Sequence, residues 1–192
     1  MAIIPILFTL PNSNYKKYHF TDCYDEEKNA LNYRGQAAII AHPPCRLWGR
    51  LRHMSKAPQV ERILAIWAII QIRKVGGILE HPAGSRLFRK MKIPLDGSPD
   101  QYGGFVISIN QHWFGFQAKK RTYLYIVGCT RSQIPQLPLN FSAITHSVSS
   151  SKNYLELDKS KNSVTAPKLC EWLFEIQRII EQNKSRAHET VL

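Results

Sequence analysis

A thiol and a carboxyl group each stand at the end of a short apolar segment. Cys45 follows the apolar run Ala37–Ala41, and Glu80 ends the run that begins at Ile78. A thiolate can add to an electron-poor carbon, and a carboxyl group can exchange hydrogen bonds and protons with a ring. Cys45 and Glu80 are therefore the first candidates for a reactive centre, provided that the fold brings them together.

The elements around these two residues alternate between predicted strands and helices, which is typical of an α/β fold. Ile3–Leu10 has the apolar, partly β-branched composition of a buried strand. Residues Ala37–Glu80 predict a strand, a helix and a second strand, joined by a right-handed parallel crossover. Within this unit, Ser55 is the predicted helix cap, Pro58 lies in the first turn, and Gly76 ends the helix.

The parallel crossover decides where the reactive groups lie. Ligands of open α/β sheets bind at the carboxyl ends of the strands. We therefore expect Cys45 and Glu80 to face one crevice of a mostly parallel sheet, in a single α/β domain over residues 1–183 with a flexible tail over 184–192. The other predicted elements are a short helix around residues 25–31, strands Phe105–Asn110 and Thr122–Val127, a mobile serine-rich loop over 142–162, and an amphipathic helix that begins at Pro167.

The charge of the chain points to a class of partner. Its 26 basic and 14 acidic side chains give a net formal charge of +12. Such a field attracts nucleic acid by steering and by counterion release, unless the charge only keeps the protein in solution. No apolar run approaches the roughly 18 residues of a membrane span. Because Met1–Leu10 also lacks the basic leader of a signal peptide, we expect no membrane contact and a cytoplasmic location.

Further motifs follow in a fixed order along the chain. They are Pro43-Pro44-Cys45, Glu80-His81-Pro82, Asn110–Gly115 with the basic run Lys119–Thr122, and finally Thr165–Leu173. In this order the motifs resemble those of the DNA cytosine 5-methyltransferases, in the short form found in phages. The resemblance covers residues 38–180 and implies a truncated, Rossmann-like methyltransferase half-fold.

The resemblance implies a transferase that acts on a pyrimidine flipped out of nucleic acid, with DNA favoured over RNA. Cys45 would add to carbon 6 of the ring, and Glu80 would bind the ring nitrogen and the exocyclic amine. Arg121, together with Arg46 and His42, would lower the pKa of the Cys45 thiol. The residues expected at the substrate are His42, Pro44, Arg46, Arg50, His81, Gln111, Lys119 and Lys120.

Methyl transfer would need S-adenosylmethionine, the cofactor that the resemblance implies. Members of the family build its site from a glycine-rich turn after the first strand and from acidic residues after the next two. We expect the site near Leu10–Asn14 and His42, but this segment contains no glycine. The base-binding half of the fold is therefore better supported by the sequence than the cofactor half.

Two other functions remain open at this point. The protein could bind nucleic acid without catalysis. Alternatively, His42, Cys45, Glu80 and His81 could hold one metal ion in a nuclease, hydrolase or deaminase. Against a metal, the four cysteines of the chain are widely spaced, with neither a zinc-finger pattern nor the nearby cysteine pair of zinc deaminases.

Overall fold

The apolar segments of the chain assemble into one mixed β-sheet with helices on both faces. The computed structural model describes residues 2–138, 140, 142–147, 155–156, 158 and 164–189. The strands of the sheet are β1 (Ile4–Leu7), β2 (Thr21–Tyr24), β3 (Ile39–Ala41), β4 (Gly77–Pro82), β5 (Phe105–Asn110) and β6 (Arg121–Val127). The helices are α1 (Val60–Val75), α2 (Arg86–Lys90) and α3 (Pro167–Glu189).

Shorter elements connect these strands and helices. The 3-10 helices are Asn14–Lys17, Ala30–Asn32, Arg52–Met54, Gln111–Phe114 and Arg131–Gln133. A separate two-stranded parallel sheet pairs β7 (His146–Ser147) with β8 (Leu155–Glu156). Within the described part of the chain, no helix has the length and apolar composition that crossing a bilayer requires.

The strand order of the six-stranded sheet is β2-β1-β3-β4-β6-β5. The first four strands in this order run parallel to one another, whereas β6 is antiparallel to both β4 and β5. The prediction of a mostly parallel α/β sheet is confirmed. The order along the sheet reverses between β1 and β3, and in open α/β sheets a reversal of this kind opens a ligand crevice at the carboxyl ends of the strands.

Alternation along each strand divides the core into two layers. Ile78 of β4 packs in the layer that contains α3, and Leu79 packs in the layer that contains α1. Because successive side chains of a strand point to opposite faces, Glu80 shares the α3 face with Ile78, and His81 shares the α1 face with Leu79. The two neighbouring residues of the Glu80-His81 motif therefore face different surroundings.

The predicted strand–helix–strand unit is present, with different bounds. Strands β3 and β4 are parallel neighbours, and α1 lies between them in the chain. The helix begins at Val60 and not near Ser55, because the Ser55 hydroxyl accepts a hydrogen bond from the backbone N–H of Ala57 in the preceding turn. Pro58 accordingly lies before the helix. Gly76 ends the helix as predicted, with a positive φ of 79°.

One strand and one helix end also differ from the prediction, each for a local physical reason. The sequence did not predict β2, because every residue of this edge strand is only half-buried. Helix α3 continues through residue 189, past the predicted start of a tail at 184, because the Lys184 ammonium donates to the carbonyls of Gln36 and Val75. Most of the serine-rich loop predicted over 142–162 lies outside the described residues.

Candidate active site

The carboxyl ends of β3 and β4 bring His42 and Glu80 side by side. The strands pair Ala41 with Leu79, so the residues that follow these two also lie next to each other. His42 Nδ1 lies 3.2 Å from Glu80 Oε2, and both side chains are 13% exposed. The backbone N–H of His42 donates to the carbonyl of Leu7, which holds His42 beside β1 at the reversal of the strand order. The carboxyl ends of β3 and β4 therefore carry an acid that is partly exposed to solvent.

A glutamine and a threonine complete the other side of Glu80. Gln111 Nε2 donates to Glu80 Oε1 over 2.9 Å and to Thr122 Oγ1 over 3.0 Å. Gln111 is fully buried in the turn after β5, and Thr122 is fully buried on β6. The side-chain oxygen of Gln111 has no hydrogen-bond partner among the described residues. Each oxygen of the Glu80 carboxylate thus has one donor that fixes it.

A buried tyrosine contacts the nitrogen of His42 that does not face Glu80. His42 Nε2 lies 3.0 Å from the Tyr15 hydroxyl, and the two rings are 5.2 Å apart. Tyr15 is 1% exposed and packs edge-on against Phe174 of α3. Tyr15 lies in a polar stretch outside every motif, so nothing in the sequence marks it, and the motif Lys119–Thr122 contains Thr122 without indicating its contact with Gln111. Side chains from separate segments therefore form one hydrogen-bonded chain from Tyr15 to Thr122.

The pKa of Glu80 reflects competing effects. Burial acts to raise the pKa of this carboxyl group, but the hydrogen bond with His42 and the positive charge of Lys120 outweigh burial. Together these effects lower the pKa of Glu80 from its ordinary value to about 2. Glu80 is therefore a carboxylate at neutral pH, held by donors and ready to accept further hydrogen bonds.

The charges that act on Glu80 also act on Cys45, but the Cys45 thiol stays protonated at neutral pH. Burial raises the pKa of Cys45, and the negative charge of Glu80 raises it further, while Lys120 and Arg46 act in the opposite direction. The prediction of a lowered thiol pKa is therefore wrong for the protein without a ligand. Cys45 lies in the loop after β3, the strand that pairs with β4, and the charge of Glu80 acts on its thiol.

The predicted basic residues do not all reach this site. The Arg46 guanidinium forms two hydrogen bonds with the Glu61 carboxylate of α1, and its side chain is 66% exposed. Arg50 and Lys119 are exposed, as phosphate-contacting residues would be. Lys120 is half-buried and approaches Phe116, with its ammonium 5.3 Å from the ring centre. Of the predicted basic residues, Lys120 is the one whose charge acts on both Glu80 and Cys45.

Arg121 lies on the other side of the sheet from Glu80. It is the first residue of β6, and its side chain is exposed. Thr122, the next residue, contacts Gln111 on the α3 face. Alternation along the strand therefore places Arg121 on the α1 face. The sequence motif Lys119–Thr122 could not show this, because the face of each residue depends on the register of β6.

His81 is also directed away from Glu80. It is fully buried on the α1 face, with its ring edge-on to Phe88 at 6.2 Å. The Pro44 carbonyl favours the charged ring, but neither ring nitrogen has a partner with hydrogen-bond geometry in the described structure. Burial lowers the pKa of His81 to about 4, against the opposing charge of Glu80. His81 is therefore neutral at physiological pH.

The ligand set of a metal enzyme is not assembled. Over the described ranges of the chain, no three side chains of His, Cys, Asp or Glu are grouped so that they could hold a metal ion. His81 faces away from the other predicted ligands, and His42 uses both ring nitrogens on Tyr15 and Glu80. The metal-dependent alternative thus has no support from this geometry.

The segment predicted to bind S-adenosylmethionine is occupied by contacts within the chain. Ser13 Oγ accepts from the backbone of Tyr15, and Asn14 Nδ2 donates to the carbonyl of Thr165. Asp25, the first acidic residue after β2, accepts from Lys16 over 2.7 Å and from two backbone N–H groups of its own loop. Because the segment after β1 has no glycine to admit a ligand and its polar side chains bind within the chain, these residues do not fit the cofactor.

Comparison with protein-family models finds no match for this chain. Comparison with curated protein sequences finds none either. The function therefore has to be inferred from the arrangement of the side chains.

Proposed function

We propose that the protein binds a pyrimidine base of nucleic acid at the carboxyl ends of β3 and β4, and that Cys45 adds to carbon 6 of this base. The observation that carries the proposal is the Glu80 carboxylate, which His42 and Gln111 hold, which is partly open to solvent, and whose charge acts on the Cys45 thiol in the next loop. DNA is the favoured partner. The base would have to leave its stack, which costs a few kcal/mol and is easiest at a weakened pair.

Glu80 supports recognition of cytosine. A carboxylate accepts hydrogen bonds only. The exocyclic amine of cytosine can donate to it, whereas thymine presents a carbonyl oxygen at the same position, which a carboxylate repels. The site therefore favours a ring edge that carries hydrogen atoms.

The addition step uses the protonation states of these two residues. The thiol of Cys45 loses its proton as the S–C6 bond forms, and ring nitrogen 3 gains a proton in the same step with Glu80 as the relay, because Glu80 is too weak a base to take the thiol proton beforehand. As the S–C6 bond forms, the electrons of the C5–C6 double bond make carbon 5 nucleophilic. Carbon 5 then takes a proton from solvent and loses its original hydrogen. As the C6–S bond breaks, ring nitrogen 3 returns its proton through Glu80 to the sulfur, which restores both the C5–C6 double bond and the Cys45 thiol. No methyl donor takes part in this sequence.

The surroundings of the site support a nucleic-acid partner. The chain has a net charge of +12, and Arg50 and Lys119 are exposed. Exposed basic residues of this kind bind phosphates independently of sequence. The order β2-β1-β3-β4 is in keeping with a Rossmann-like half-fold. We assign no methyl donor, because the residues after β1 and β2 do not fit S-adenosylmethionine.

Exchange of the hydrogen on carbon 5 tests the addition directly. A cytosine-containing DNA duplex is incubated with the protein in deuterated water, and deuterium in the recovered cytosine is measured by mass spectrometry. We expect exchange with the wild-type protein and none with Cys45→Ala. Cys23→Ala is the matched control, because Cys23 is also half-buried but lies on β2. Absence of exchange, or equal exchange by Cys45→Ala, would contradict the proposal.

Binding without catalysis is the second candidate, and one observation favours it. The raised pKa of the Cys45 thiol leaves little thiolate at neutral pH. A pure binder would take up the duplex, show no deuterium exchange, and keep its affinity in Cys45→Ala. Measuring binding and exchange on the same samples separates the two functions.

A further inference from the structure

We propose that Tyr15 and His42 are positioning residues for Glu80: Tyr15 fixes the His42 ring, and His42 fixes one carboxylate oxygen so that Glu80 meets the base in a single orientation. The inference rests on the proposed function, because it concerns the acid that would bind the base. It assigns a role to a tyrosine that the motifs do not include.

The contact with Tyr15 determines which nitrogen of the His42 ring carries a hydrogen atom. A neutral imidazole has one N–H and one acceptor nitrogen, and the partner of one nitrogen determines which is which. The Tyr15 hydroxyl lies 3.0 Å from Nε2 and can donate to it, which leaves the Nδ1–H to donate to Glu80 over 3.2 Å. Tyr15 thus selects the form of the ring that can bind the carboxylate.

Tyr15 and His42 are themselves held rigidly by packing and by hydrogen bonds. Tyr15 is 1% exposed, and its ring packs against both His42 and Phe174. The His42 backbone is tied to Leu7 of β1. A side chain fixed by packing and by a second hydrogen bond holds its partner within the narrow range that catalysis needs. The rotation of Glu80 is therefore set by residues that the ligand does not contact.

The Glu80 carboxylate can accept more hydrogen bonds than His42 and Gln111 donate to it. Its two oxygens can together accept about four hydrogen bonds. His42 uses one position on Oε2, and Gln111 uses one on Oε1. Each oxygen keeps a position for the base, and the two fixed donors determine where these positions point. Loss of the His42 contact would leave Glu80 held at one oxygen only.

Two substitutions of His42 separate its two contacts. In His42→Asn, the side-chain amide nitrogen replaces Nδ1, so the donor to Glu80 is kept and the contact with Tyr15 is lost. In His42→Gln, the amide nitrogen replaces Nε2, so the contact with Tyr15 is kept and the donor to Glu80 is lost. Tyr15→Phe removes only the hydroxyl and leaves the ring packing intact.

The first readout is the rate of carbon 5 exchange at saturating DNA. We expect His42→Gln to lower this rate by about 100-fold, as a misplaced catalytic group does, with little change in the affinity for the duplex. His42→Asn should restore most of the rate, and Tyr15→Phe should show a smaller loss than His42→Gln. Equal rates for wild type and His42→Gln, or equal losses for the Asn and Gln variants, would overturn the inference.

The second readout does not depend on any reaction. The titration of the Glu80 carboxyl group is followed by carbon NMR, with the resonance assigned by its loss in Glu80→Gln. In the wild type the pKa is about 2. We expect it to rise towards the ordinary value in His42→Gln and to stay low in His42→Asn. If the wild type shows no exchange, the proposed function fails, and this titration still decides whether His42 positions Glu80.

Discussion

Two mostly buried carboxylates, Asp100 and Glu80, differ in the number of hydrogen-bond donors that surround them and in their exposure to solvent. Asp100 Oδ2 accepts from the Arg73 guanidinium over 3.0 Å and from the Tyr125 hydroxyl over 2.7 Å. Its Oδ1 accepts from two backbone N–H groups of its own loop. The Asp100 side chain is 4% exposed. Within the described structure Glu80 has two side-chain donors, His42 and Gln111, and it is more than three times as exposed.

The difference lies in the acceptor capacity that each carboxylate keeps, and not in its pKa. Burial acts to raise the pKa of both groups, and hydrogen bonds lower it in both. Asp100 is saturated with donors and ties its loop to Arg73, although a surface cavity of about 470 Å³ lies beside it. Glu80 keeps free positions at an open edge. A lowered pKa therefore marks a paired carboxylate, and spare capacity marks one that can bind a ligand.

The largest effect on stability should come from Asp100→Asn. The substitution leaves the Arg73 guanidinium, whose side chain is 12% exposed, without its charged partner. Breaking such a pair costs about 3–5 kcal/mol of unfolding free energy, which urea unfolding measures. Asp96→Asn in the same loop is the control, and an exposed site should change stability by no more than about 0.5 kcal/mol. A similar small loss for both variants would end the distinction between the two carboxylates.

Glu80→Gln should show the reverse pattern. We expect a loss of about 1–2 kcal/mol of unfolding free energy, because neutral hydrogen bonds replace charge-assisted ones. Carbon 5 exchange and the preference for cytosine over thymine should disappear, since the amide cannot shuttle a proton. Urea unfolding and the exchange assay are run on the same preparation. Retained exchange in this variant would remove Glu80 from the site.

Acid should narrow the stability difference between wild type and Glu80→Gln. The pKa of Glu80 is about 2 in the folded protein and 4.5 ordinarily, so its contribution is complete above pH 4.5 and is lost as pH falls towards 2. We expect the difference to shrink by an amount on the order of 1–2 kcal/mol between pH 6 and pH 3. Urea unfolding at both pH values measures it. A constant difference would show that Glu80 is not held in its charged form.

The smallest effect is expected at His81, on the face opposite Glu80. Its unpartnered ring nitrogens are buried, so His81→Leu should raise the unfolding free energy by about 1 kcal/mol at pH 8. The pKa of His81 falls from 6.5 to about 4 on folding, so the wild type loses stability as pH falls through this interval and the Leu variant does not. Thermal unfolding should therefore show a larger gain at pH 5. A loss of stability would mean that the ring has a partner.

The sequence predicted the framework of the site better than its contacts. Apolar, β-branched runs identify β3 and β4, because buried parallel strands need them. Their pairing then brings Glu80 beside His42 at the carboxyl ends of the two strands. Tyr15 could not be predicted, because its contact with His42 depends on how a polar loop folds back over the sheet. The face of Arg121 depends on the register of β6.

The ion pair of Arg46 and the hydrogen bond of Gln111 could not be predicted from the sequence either. Arg46 follows Cys45 directly, and its charge does favour the thiolate, but burial and Glu80 outweigh it, and its guanidinium pairs with Glu61 of α1. The pairing needs the first turn of the helix to pass close to the loop after β3. Spacing along the chain contains no information on this approach. Gln111 was predicted from the resemblance of its motif, and its contact with Glu80 emerges only from the fold.

The most direct measurement is a peptide map of the protein after incubation with a DNA duplex that contains one 5-azacytosine. Nitrogen at position 5 makes carbon 6 a better acceptor, and after the thiol adds, this nitrogen takes the proton, so no methyl donor is needed. We predict an adduct on Cys45 in the wild type that is lost in Glu80→Gln. An adduct on Cys23, or none on any cysteine, would contradict the account of Cys45 and Glu80 as one site.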